Sequence, residues 1–375
     1  MMINDVLGII NLGEREEYIK ELTEVRPIAA VPFGGRYRMI DFTLSNMINS
    51  GIDYIGIVLK DKFHSLNDHI GPGKSWDLDR KTGGLRMLYP NIEPNPTQIS
   101  VGDLPVLRDN LDYVVRTTKK HILLTRSNYI GNIDFTKPHQ QHIETDSDIT
   151  ILTRHIVRGR NRVDLLGLDI VTMENGEISI GRNLGNQDEF DLSIEMFFFK
   201  KSVFMEIVTE AIEAGNEAYL KRAIIDRLTH YRVATFTLDS DILPIHSLQS
   251  YYNASMQILD PSYSDYLFYR HGKIYTKVKD APSTMYLGQT NVNNALLANG
   301  CIIEGTVENS IIFRGVRIGK DTVVRNSIVF QNVTIGDNCN INNCVFDKNV
   351  VVGKNKVLMG DGGLPYVIKK GVVVK

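Results

Sequence analysis

The last third of the chain repeats a short motif at a fixed spacing, and this repeat constrains the fold more than any other feature. Asn309–Phe313 reads Asn-Ser-Ile-Ile-Phe, Asn326–Phe330 reads Asn-Ser-Ile-Val-Phe, and Asn343–Phe346 reads Asn-Cys-Val-Phe. The starting positions, 309, 326 and 343, step by 17 residues each time. A fixed period is typical of solenoids, in which each repeat buries its apolar face only against its neighbours.

Within one repeat, the apolar residues fall about six positions apart, as at Ile312, Ile318 and Val324. This spacing predicts three short strands per coil, each with an apolar side chain that points inward. We therefore expect a parallel β-helix over residues 283–375. Because the end of such a stack exposes unpaired backbone groups, we also expect it to be covered by another chain or by the first domain.

Residues 1–259 follow a different pattern, in which short apolar runs alternate with amphipathic stretches. This alternation predicts an α/β domain with a mostly parallel sheet. Buried strands are expected at Val6–Ile10, Tyr54–Leu59, Ile122–Thr125, Ile149–Arg154 and Met196–Phe199. Helices are expected at Asp41–Ser50 and Val203–Ala214, each followed by a glycine. We interpret residues 260–282 as the linker between the domains and residues 59–102 as surface loops.

The composition indicates a globular protein without a strong overall electrostatic field. Of its 375 residues, 43% are hydrophobic and 23% are charged, and the formal net charge is -2. This balance argues against binding of nucleic acid or membranes through overall charge. No window approaches the ~20 apolar residues of a membrane helix, and the N-terminus lacks a signal-peptide pattern. Because Cys301, Cys339 and Cys344 form no C-x-x-C pair, we expect no disulfides and a cytoplasmic location.

Three motifs resemble those of one enzyme family. Val31–Phe42 reads Val-Pro-Phe-Gly-Gly-Arg-Tyr-Arg-Met-Ile-Asp-Phe, Trp76–Arg80 is followed by Gly83-Gly84, and Ser250–Ala254 reads Ser-Tyr-Tyr-Asn-Ala. Together they resemble the glucose-1-phosphate adenylyltransferase family, and the resemblance runs nearly from end to end. It implies a Rossmann-like nucleotidyltransferase domain followed by a left-handed, hexapeptide-type β-helix. It also implies transfer of AMP from ATP to glucose 1-phosphate, with Arg, Lys and Mg²⁺ neutralising the phosphates.

The chain departs from the family at the phosphate loop, which the resemblance places at residues 11–18. Gly13 is kept, but Glu14 and Glu16 stand in place of glycines and Tyr18 in place of an arginine. Two like charges ~4 Å apart repel by ~4 kcal/mol at an effective dielectric constant of 20. We therefore expect these carboxylates to repel a triphosphate, and ATP to bind poorly.

The resemblance places the other substrate positions at equally altered residues. Asn128 and Pro244 stand where the family carries two metal-binding aspartates, and neither supplies the anionic oxygen that Mg²⁺ prefers. In the sugar-phosphate pocket, Ser193 is kept, while Glu195 replaces a glycine. The base-reading segment has become Gly102–Val106. We predict no catalytic residue, metal or cofactor for this chain, with Mg²⁺ serving the family's catalytic subunit.

A retained fold with altered catalytic positions resembles the regulatory subunit that pairs with a catalytic one in some Gram-positive bacteria. The resemblance implies a heterotetramer in glycogen synthesis, in which this chain alters the activity or effector response of its partner. Two alternatives remain: an active sugar-phosphate nucleotidyltransferase with non-standard ligands, and a hexapeptide acyltransferase. The acyltransferase alternative is weak, because that class generally needs a catalytic histidine on a coil and residues 301–359 contain no histidine.

Arg26, Arg36 and Arg38 lie around the longest motif. The resemblance implies that this neighbourhood binds a phosphorylated effector, since Arg donates paired hydrogen bonds to phosphate. The alternative is that these arginines form ion pairs with Asp41 or with carboxylates of the neighbouring helix.

Four histidines, His64, His69, His139 and His142, include an i, i+3 pair without an evident carboxylate-rich partner. We interpret them as surface or helix-capping residues rather than metal ligands. We also interpret Trp76 as a packing residue.

Overall fold

The computed structural model describes residues 3–90, 102–174, 176–215 and 218–375. It forms two compact units, the first from residues 1–14, 42–244 and 271–275, and the second from residues 15–41, 245–270 and 276–375. Each unit is therefore assembled from separate stretches of the chain, whereas the sequence suggests consecutive domains. The segment interpreted as a linker contains a helix, Pro261–Tyr269, which begins with a proline after the capping side chain of Asp260.

The helices carry the amphipathic stretches of the sequence. The α-helices are Lys20–Thr23, Met39–Asn49, His64–Ile70, Leu104–Asp109, Leu111–Arg116, Thr136–Glu144, Lys201–Ala214, Leu220–Arg227, Leu248–Gln257 and Pro261–Tyr269. Both predicted helices are confirmed within two residues at each end. The helix that begins at Lys201 ends because Gly215 adopts a φ of 68° and its N–H bonds to the carbonyl of Ala211. Among the residues that the structure describes, no helix is both long and apolar enough to cross a membrane.

In the first unit, nine strands of the described residues form one sheet. Its strands are Val6–Asn11, Tyr54–Val58, Gly84–Leu88, His121–Thr125, Ile149–Ile156, Asp169–Glu174, Glu177–Arg182, Phe190–Lys200 and Val233–Thr237. The strand from Val6 pairs in parallel with those from Tyr54 and His121. The predicted strands are confirmed, and Met196–Phe199 proves to be the apolar half of a longer strand. That longer strand, Phe190–Lys200, runs antiparallel to its neighbours.

Two regular elements lie in the stretch interpreted as surface loops. The helix His64–Ile70 and the strand Gly84–Leu88 were both missed, because glycine and charge dominate the local sequence. The conformation of this strand is set by its pairing with another strand, since it pairs in parallel with the whole of Tyr54–Val58. Trp76 is buried, and its indole N–H lies 3.3 Å from Ser45 Oγ as a hydrogen-bond donor, so its interpretation as a packing residue is confirmed.

The parallel strands define two edges of this sheet. Residues 11–14 and 126–128 follow the carboxyl ends of two adjacent strands, Val6–Asn11 and His121–Thr125, and therefore lie at one edge. In open α/β sheets, ligands bind outside this edge. Asp5 and His121 lie at the opposite, amino edge, because Val6 pairs with His121.

The second unit contains the predicted β-helix. Its strands are Met285–Tyr286, Asn291–Leu297, Ile302–Ile303, Thr306–Ile312, Arg317–Ile318, Val323–Arg325, Ile328–Val329, Thr334–Ile335, Asn340–Asn342, Cys344–Phe346, Val351–Val352, Val357–Met359, Tyr366–Ile368 and Val373–Val374. All of their pairings are parallel. The 17-residue step is confirmed as the register, because Ile312 pairs with Val329 and Val329 with Phe346. The inward positions of the repeat, such as Ile318 and Val324, are buried as predicted.

The asparagine that opens each repeat turns a corner of the coil. Asn309, Asn326 and Asn343 have φ angles of 44°, 45° and 50°, in the left-handed region. Asparagine enters this region more readily than other side chains with a Cβ. The repeated asparagine is therefore required by the backbone.

The Ser-Tyr-Tyr motif lies on the helix Leu248–Gln257, also in the second unit. Ser250 forms a capping box with Ser247 at the start of this helix. The hydroxyl of Tyr252 donates to the carbonyl of Asn326 at 2.6 Å, at a corner of the β-helix. Tyr251 is fully buried, and its hydroxyl donates to the carbonyl of Pro32 at 2.6 Å. The motif thus holds this helix against the coils.

Candidate functional site

The loop after the first strand packs closely against side chains of the same unit. A Cβ added to Gly13 would lie 2.8 Å from Asp103 Oδ2 and 2.9 Å from Arg126 Nη1, so a larger residue would force these two side chains to shift. Asn11 Nδ2 donates to Asp103 Oδ2 at 2.6 Å, and Asn11 Oδ1 accepts from the Gly13 N–H at 3.1 Å. Gly13 therefore lets the loop approach Asp103 and Arg126 closely.

Glu14 binds the end of the neighbouring parallel strand. Its Oε1 accepts hydrogen bonds from the backbone N–H and the hydroxyl of Ser127, both at 2.7 Å. Burial raises the pKa of Glu14 above its ordinary value, against the opposing influence of Arg126 and these hydrogen bonds. A carboxylate of the protein thus uses two donors at the edge where a ligand of an α/β sheet binds.

Five charged residues at this edge form what we call the ion-pair network. Buried Arg126 places Nε 3.2 Å from Glu195 Oε2 and Nη1 3.8 Å from Asp103 Oδ2. Lys221 Nζ lies 2.8 Å from Glu195 Oε1 and 2.5 Å from Asp169 Oδ2. Glu195 bridges the two cations, and each cation also meets a second carboxylate.

Glu195 occupies a backbone position that favours glycine. Its φ is 52°, and it lies in a bulge where the strand register shifts between Ser193 and Met196. Burial by itself would raise the pKa of Glu195, but Arg126 and Lys221 hold that pKa below its ordinary value. The side chain is therefore a carboxylate at neutral pH.

Ser193, the retained residue of the predicted sugar pocket, is buried beside this bulge. Its hydroxyl accepts from the N–H of Glu195 at 3.4 Å, and its carbonyl accepts from the Tyr129 hydroxyl at 3.5 Å. In the structure, Ser193 therefore supports the bulge that carries Glu195.

The two positions predicted as former metal ligands lie close together. Pro244 pairs with Tyr129 in a two-stranded antiparallel sheet, Tyr129–Ile130 with Leu243–Pro244, and Asn128 directly precedes Tyr129. The structure thus brings together an amide and a proline from positions far apart in the sequence. Neither side chain carries the negative charge that a Mg²⁺ site requires.

Glu16 and Tyr18 belong to the second unit and have local surroundings there. Glu16 Oε1 accepts a hydrogen bond from the N–H of Ile28 at 2.9 Å, at the start of a 3-10 turn. Tyr18 is 75% exposed. Glu14 and Glu16 thus each accept a hydrogen bond from an N–H group of their own unit, a role that the sequence does not predict, while repulsion of a triphosphate stays a prediction.

Arg26 forms a buried ion pair rather than a solvent-facing phosphate site. Its Nη2 lies 2.7 Å from Asp347 Oδ1 and 2.5 Å from Asp347 Oδ2, on the β-helix. Arg26 thus forms an ion pair, but its partner is Asp347 of the β-helix, which the sequence interpretation did not name. Among the residues that the structure describes, its second terminal nitrogen, Nη1, is buried without a hydrogen-bond partner.

Arg36 and Arg38 flank Tyr37 on a hairpin of two short strands, Pro32–Phe33 and Tyr37–Arg38. The turn uses Gly34 and Gly35 at φ angles of 56° and 78°. Arg36 is exposed and lies over the ring of Tyr37, 5.5 Å from its centroid.

Cations from the β-helix add to this hairpin within the second unit. Burial, followed by the charges of Arg38 and Arg26, lowers the pKa of Lys348 to about 7. Burial and the charge of Arg36 likewise lower the pKa of Arg314. We call the group Arg36, Arg38, Arg314 and Lys348 the cationic cluster.

The histidines do not all lie on the surface, so that interpretation is wrong for His69, His139 and His142, which are buried. The helix Thr136–Glu144 turns His139 and His142 toward the sheet, where their rings lie 5.6 and 5.9 Å from the ring of Phe198. His121 and Asp5, which the sequence interpretation did not consider, lie beside them.

The sequence interpretation also missed Arg126 and Lys221 and did not recognise the part played by Asp103. Arg126 could have been found, because a charged residue directly after a buried parallel strand lies at the ligand-binding edge. Lys221 carries no such signal, since it lies on a helix with several other charged residues.

Comparison with known proteins agrees with this architecture. Residues 17–163 match the nucleotidyl transferase family model, and residues 283–362 match the GlmU-like C-terminal hexapeptide model. The glycogen biosynthesis protein GlgD of Geobacillus stearothermophilus is 39% identical, over 99% of this chain and 98% of that protein. The glucose-1-phosphate adenylyltransferase of Thermosipho africanus is 30% identical, over 86% of this chain and 78% of that protein. The chain belongs to the glucose-1-phosphate adenylyltransferase family.

Within this family, GlgD of Bacillus subtilis is a further relative, 31% identical over 86% of this chain and 83% of that protein. The resemblance recognised from the three motifs is confirmed. The fold expected of the family, a nucleotidyltransferase sheet and a hexapeptide-type β-helix, is also the one observed.

Proposed function

We propose that this chain is a regulatory, catalytically degenerate subunit of ADP-glucose pyrophosphorylase in glycogen biosynthesis. Its partner would be a catalytic paralogue that makes ADP-glucose from ATP and glucose 1-phosphate. The ion-pair network carries the proposal, because it commits Arg126 and Lys221 to carboxylates of the chain itself. The relatives named as glycogen biosynthesis proteins support the pathway.

The charge balance of the network opposes a phosphate substrate. Three carboxylates, those of Asp103, Asp169 and Glu195, surround the cations of Arg126 and Lys221. Phosphoryl transfer depends on cations that neutralise the developing charge. A triphosphate would have to displace Glu195 before it reached either cation, and the displaced carboxylate would then lie beside it.

The former metal positions support the same proposal. Pro244 pairs with Tyr129, the residue directly after Asn128. Neither Asn128 nor Pro244 offers a carboxylate where these two strands meet. Mg²⁺ binds one or two carboxylates together with substrate phosphates in such enzymes. The scaffold, in contrast, is well packed, with inward positions such as Ile335 only 1% exposed. A well-packed scaffold around an altered site favours a function that depends on the surfaces of the protein.

We also propose that the cationic cluster binds a sugar-phosphate effector. Arg36 and Arg38 lie on one hairpin, while burial keeps the ammonium of Lys348 only weakly basic. An anion would relieve the repulsion among these cations, and Arg is suited to bind it through paired hydrogen bonds. The unpartnered Nη1 of Arg26 is an additional donor in the same unit, although its Nη2 is held by Asp347.

The test is to purify the chain and to mix it with a catalytic paralogue. Light scattering measures the mass of the complex, and pyrophosphate release measures the rate across a panel of sugar phosphates. We expect no appreciable ADP-glucose formation by the chain alone, a mixed oligomer, and a changed maximal rate or effector response of the partner. Separate elution with unchanged kinetics would contradict the proposal.

The alternative, an active sugar-phosphate nucleotidyltransferase with non-standard ligands, gives the opposite result in the first measurement. It predicts turnover by the chain alone at rates typical of enzymes, about 1–10³ s⁻¹. Mass spectrometry of the preparation controls for contaminating host enzyme.

A further inference from the structure

A cluster of histidines and one aspartate lies at the amino edge of the first unit's sheet. Asp5 directly precedes the strand that begins at Val6, and His121 opens the neighbouring parallel strand. His139 reaches the same point from the helix Thr136–Glu144. One potential ligand atom from each of Asp5, His121 and His139 lies within 4.8 Å of the others.

We propose that Asp5, His121 and His139 bind a divalent transition metal ion of the zinc type. The site is separate from the ion-pair network. His121 and Arg126 stand at opposite ends of the strand His121–Thr125. Five residues of extended chain span roughly 16 Å at about 3.3 Å per residue.

The distances in the cluster suit a small tetrahedral ion. Asp5 Oδ1 lies 3.2 Å from His139 Nε2, and Asp5 Oδ2 lies 3.8 Å from His121 Nε2. Tetrahedral bonds of about 2.0–2.1 Å to imidazole nitrogen and carboxylate oxygen place neighbouring ligand atoms about 3.3 Å apart. One ligand atom of each of the three residues lies within 4.8 Å of the others, so these atoms would have to approach by at most about 1.5 Å to surround such an ion.

The hydrogen bonding of the histidines also leaves Nε2 of His139 available as a metal ligand. Among the described residues, buried His139 Nε2 has no hydrogen-bond partner, although a carboxylate oxygen lies only 3.2 Å away. An imidazole lone pair and a carboxylate repel each other unless a proton or a metal ion lies between them. The ring of the nearby His142 lies 5.2 Å from that of His121, and its Nε2 is also buried without a hydrogen-bond partner among the described residues.

The surroundings allow an ion to enter and to be held. Asp5 is about one-third exposed, at 31%, while the His139 side chain is 10% exposed, so the site opens to solvent on the carboxylate side. His142 Nδ1 lies 2.8 Å from Thr150 Oγ1, which fixes the ring plane. The positive charge of nearby Lys200 is balanced by Asp146 at 2.7 Å and Asp148 at 2.9 Å.

Three protein ligands leave a fourth tetrahedral position for water or for a moved His142. Two imidazoles and a carboxylate are a ligand set that zinc accepts, whereas Mg²⁺ and Ca²⁺ prefer oxygen alone. We therefore expect zinc or cobalt to bind, with magnesium far weaker.

The test uses the full chain without a polyhistidine tag, stripped with a chelator and titrated with Co²⁺ and then Zn²⁺. We expect one equivalent of Co²⁺ with the absorption bands of tetrahedral coordination, bleached by Zn²⁺. Asp5→Asn should weaken binding at least 10-fold, since even the loss of groups that only orient metal ligands costs about 10–100-fold. His139→Gln should do the same.

His155→Gln is the matched control. His155 Nδ1 lies 3.0 Å from Asp191 Oδ1 on the surface, the same pairing without a third ligand. We expect that variant to bind Co²⁺ like the unaltered chain. If His139→Gln does not fold, Asp5→Asn decides the question, because its backbone carbonyl still accepts from Lys120 and His121. A folded, unaltered chain that shows no tetrahedral Co²⁺ spectrum would overturn the proposal, as would equal affinity in Asp5→Asn.

Discussion

Replacing Glu195 by glycine tests directly whether this side chain takes the place of a bound phosphate. The change removes the carboxylate that bridges Arg126 and Lys221, both less than one-third exposed. Removing one partner of a buried ion pair costs about 3–5 kcal/mol. Glycine also relieves a left-handed backbone, with a φ of 52°, which is worth about 1–2 kcal/mol. The net loss of unfolding free energy should therefore be about 1–4 kcal/mol.

The loss should be reversed by phosphate. With Glu195 absent, Arg126 and Lys221 become available to an external anion. A ligand at 100 times its dissociation constant stabilises the folded state by about 2.7 kcal/mol. Inorganic phosphate or pyrophosphate should thus raise the thermal midpoint of Glu195→Gly toward that of the unaltered chain. At equal ionic strength, sodium chloride should not.

Two comparison variants make this experiment decisive. Glu195→Gln keeps the strained backbone and loses the charge, so it should be less stable than Glu195→Gly without phosphate. Glu189→Gly changes an exposed glutamate just before the same strand and should show no phosphate effect. Equal stabilisation of the unaltered chain and Glu195→Gly by phosphate would refute the idea that Glu195 blocks the site.

The remaining predictions concern the metal positions, the β-helix and the cationic cluster. Asn128→Asp alone should not produce ADP-glucose in a coupled pyrophosphate assay, because Pro244 and Glu195 remain; substantial turnover would show that one carboxylate suffices. Ile335→Asp should destabilise the β-helix by several kcal/mol and abolish the effect on the partner, because a buried unpaired carboxylate is costly, whereas outward-facing Thr334→Asp should be tolerated. Calorimetry with sulfate, whose charge is constant over this range, should show weaker binding as the pH rises from 6 to 8. The pKa of Lys348 is lowered to about 7, so its positive charge is present below that pH and lost above it; a pH-independent affinity, or the same slope in Lys348→Gln, would exclude this residue.

The β-helix could be predicted in detail because its information is local and periodic. The step from Asn309 to Asn326 sets the strand register, and the six-residue spacing identifies which side chains face inward. The parallel strands of the first unit were likewise visible as apolar runs. The strand Gly84–Leu88 was not, because its conformation comes from pairing with Tyr54–Val58 rather than from its own composition.

The site was only partly predictable because its contacts are long-range. The resemblance predicts that Asn128 and Glu195 differ from the family at its substrate positions. The contacts of Glu195 with Arg126 and Lys221 depend on a bulge in the strand of Glu195 and on the helix that carries Lys221. No local sequence pattern connects these elements. The pairing of Arg26 with Asp347 joins positions 321 residues apart. Charge at a site can be read from a sequence, whereas the partner that neutralises it requires the fold.

Under the proposed function, Glu14 and Glu195 explain how a catalytic pocket could lose its substrate and still fold. A phosphate-binding pocket contains cations and N–H donors that are stabilised only when an anion is bound. In this chain, Glu195 supplies that anion to Arg126 and Lys221, and a side-chain oxygen of Glu14 accepts from the donors of Ser127. Under the proposed function, each of these two carboxylates would oppose phosphate binding and also stabilise the unliganded fold. Reversing one substitution alone should then expose unpaired cations without restoring a metal site, so return of activity would require changes at both Glu195 and the Asn128–Pro244 pair.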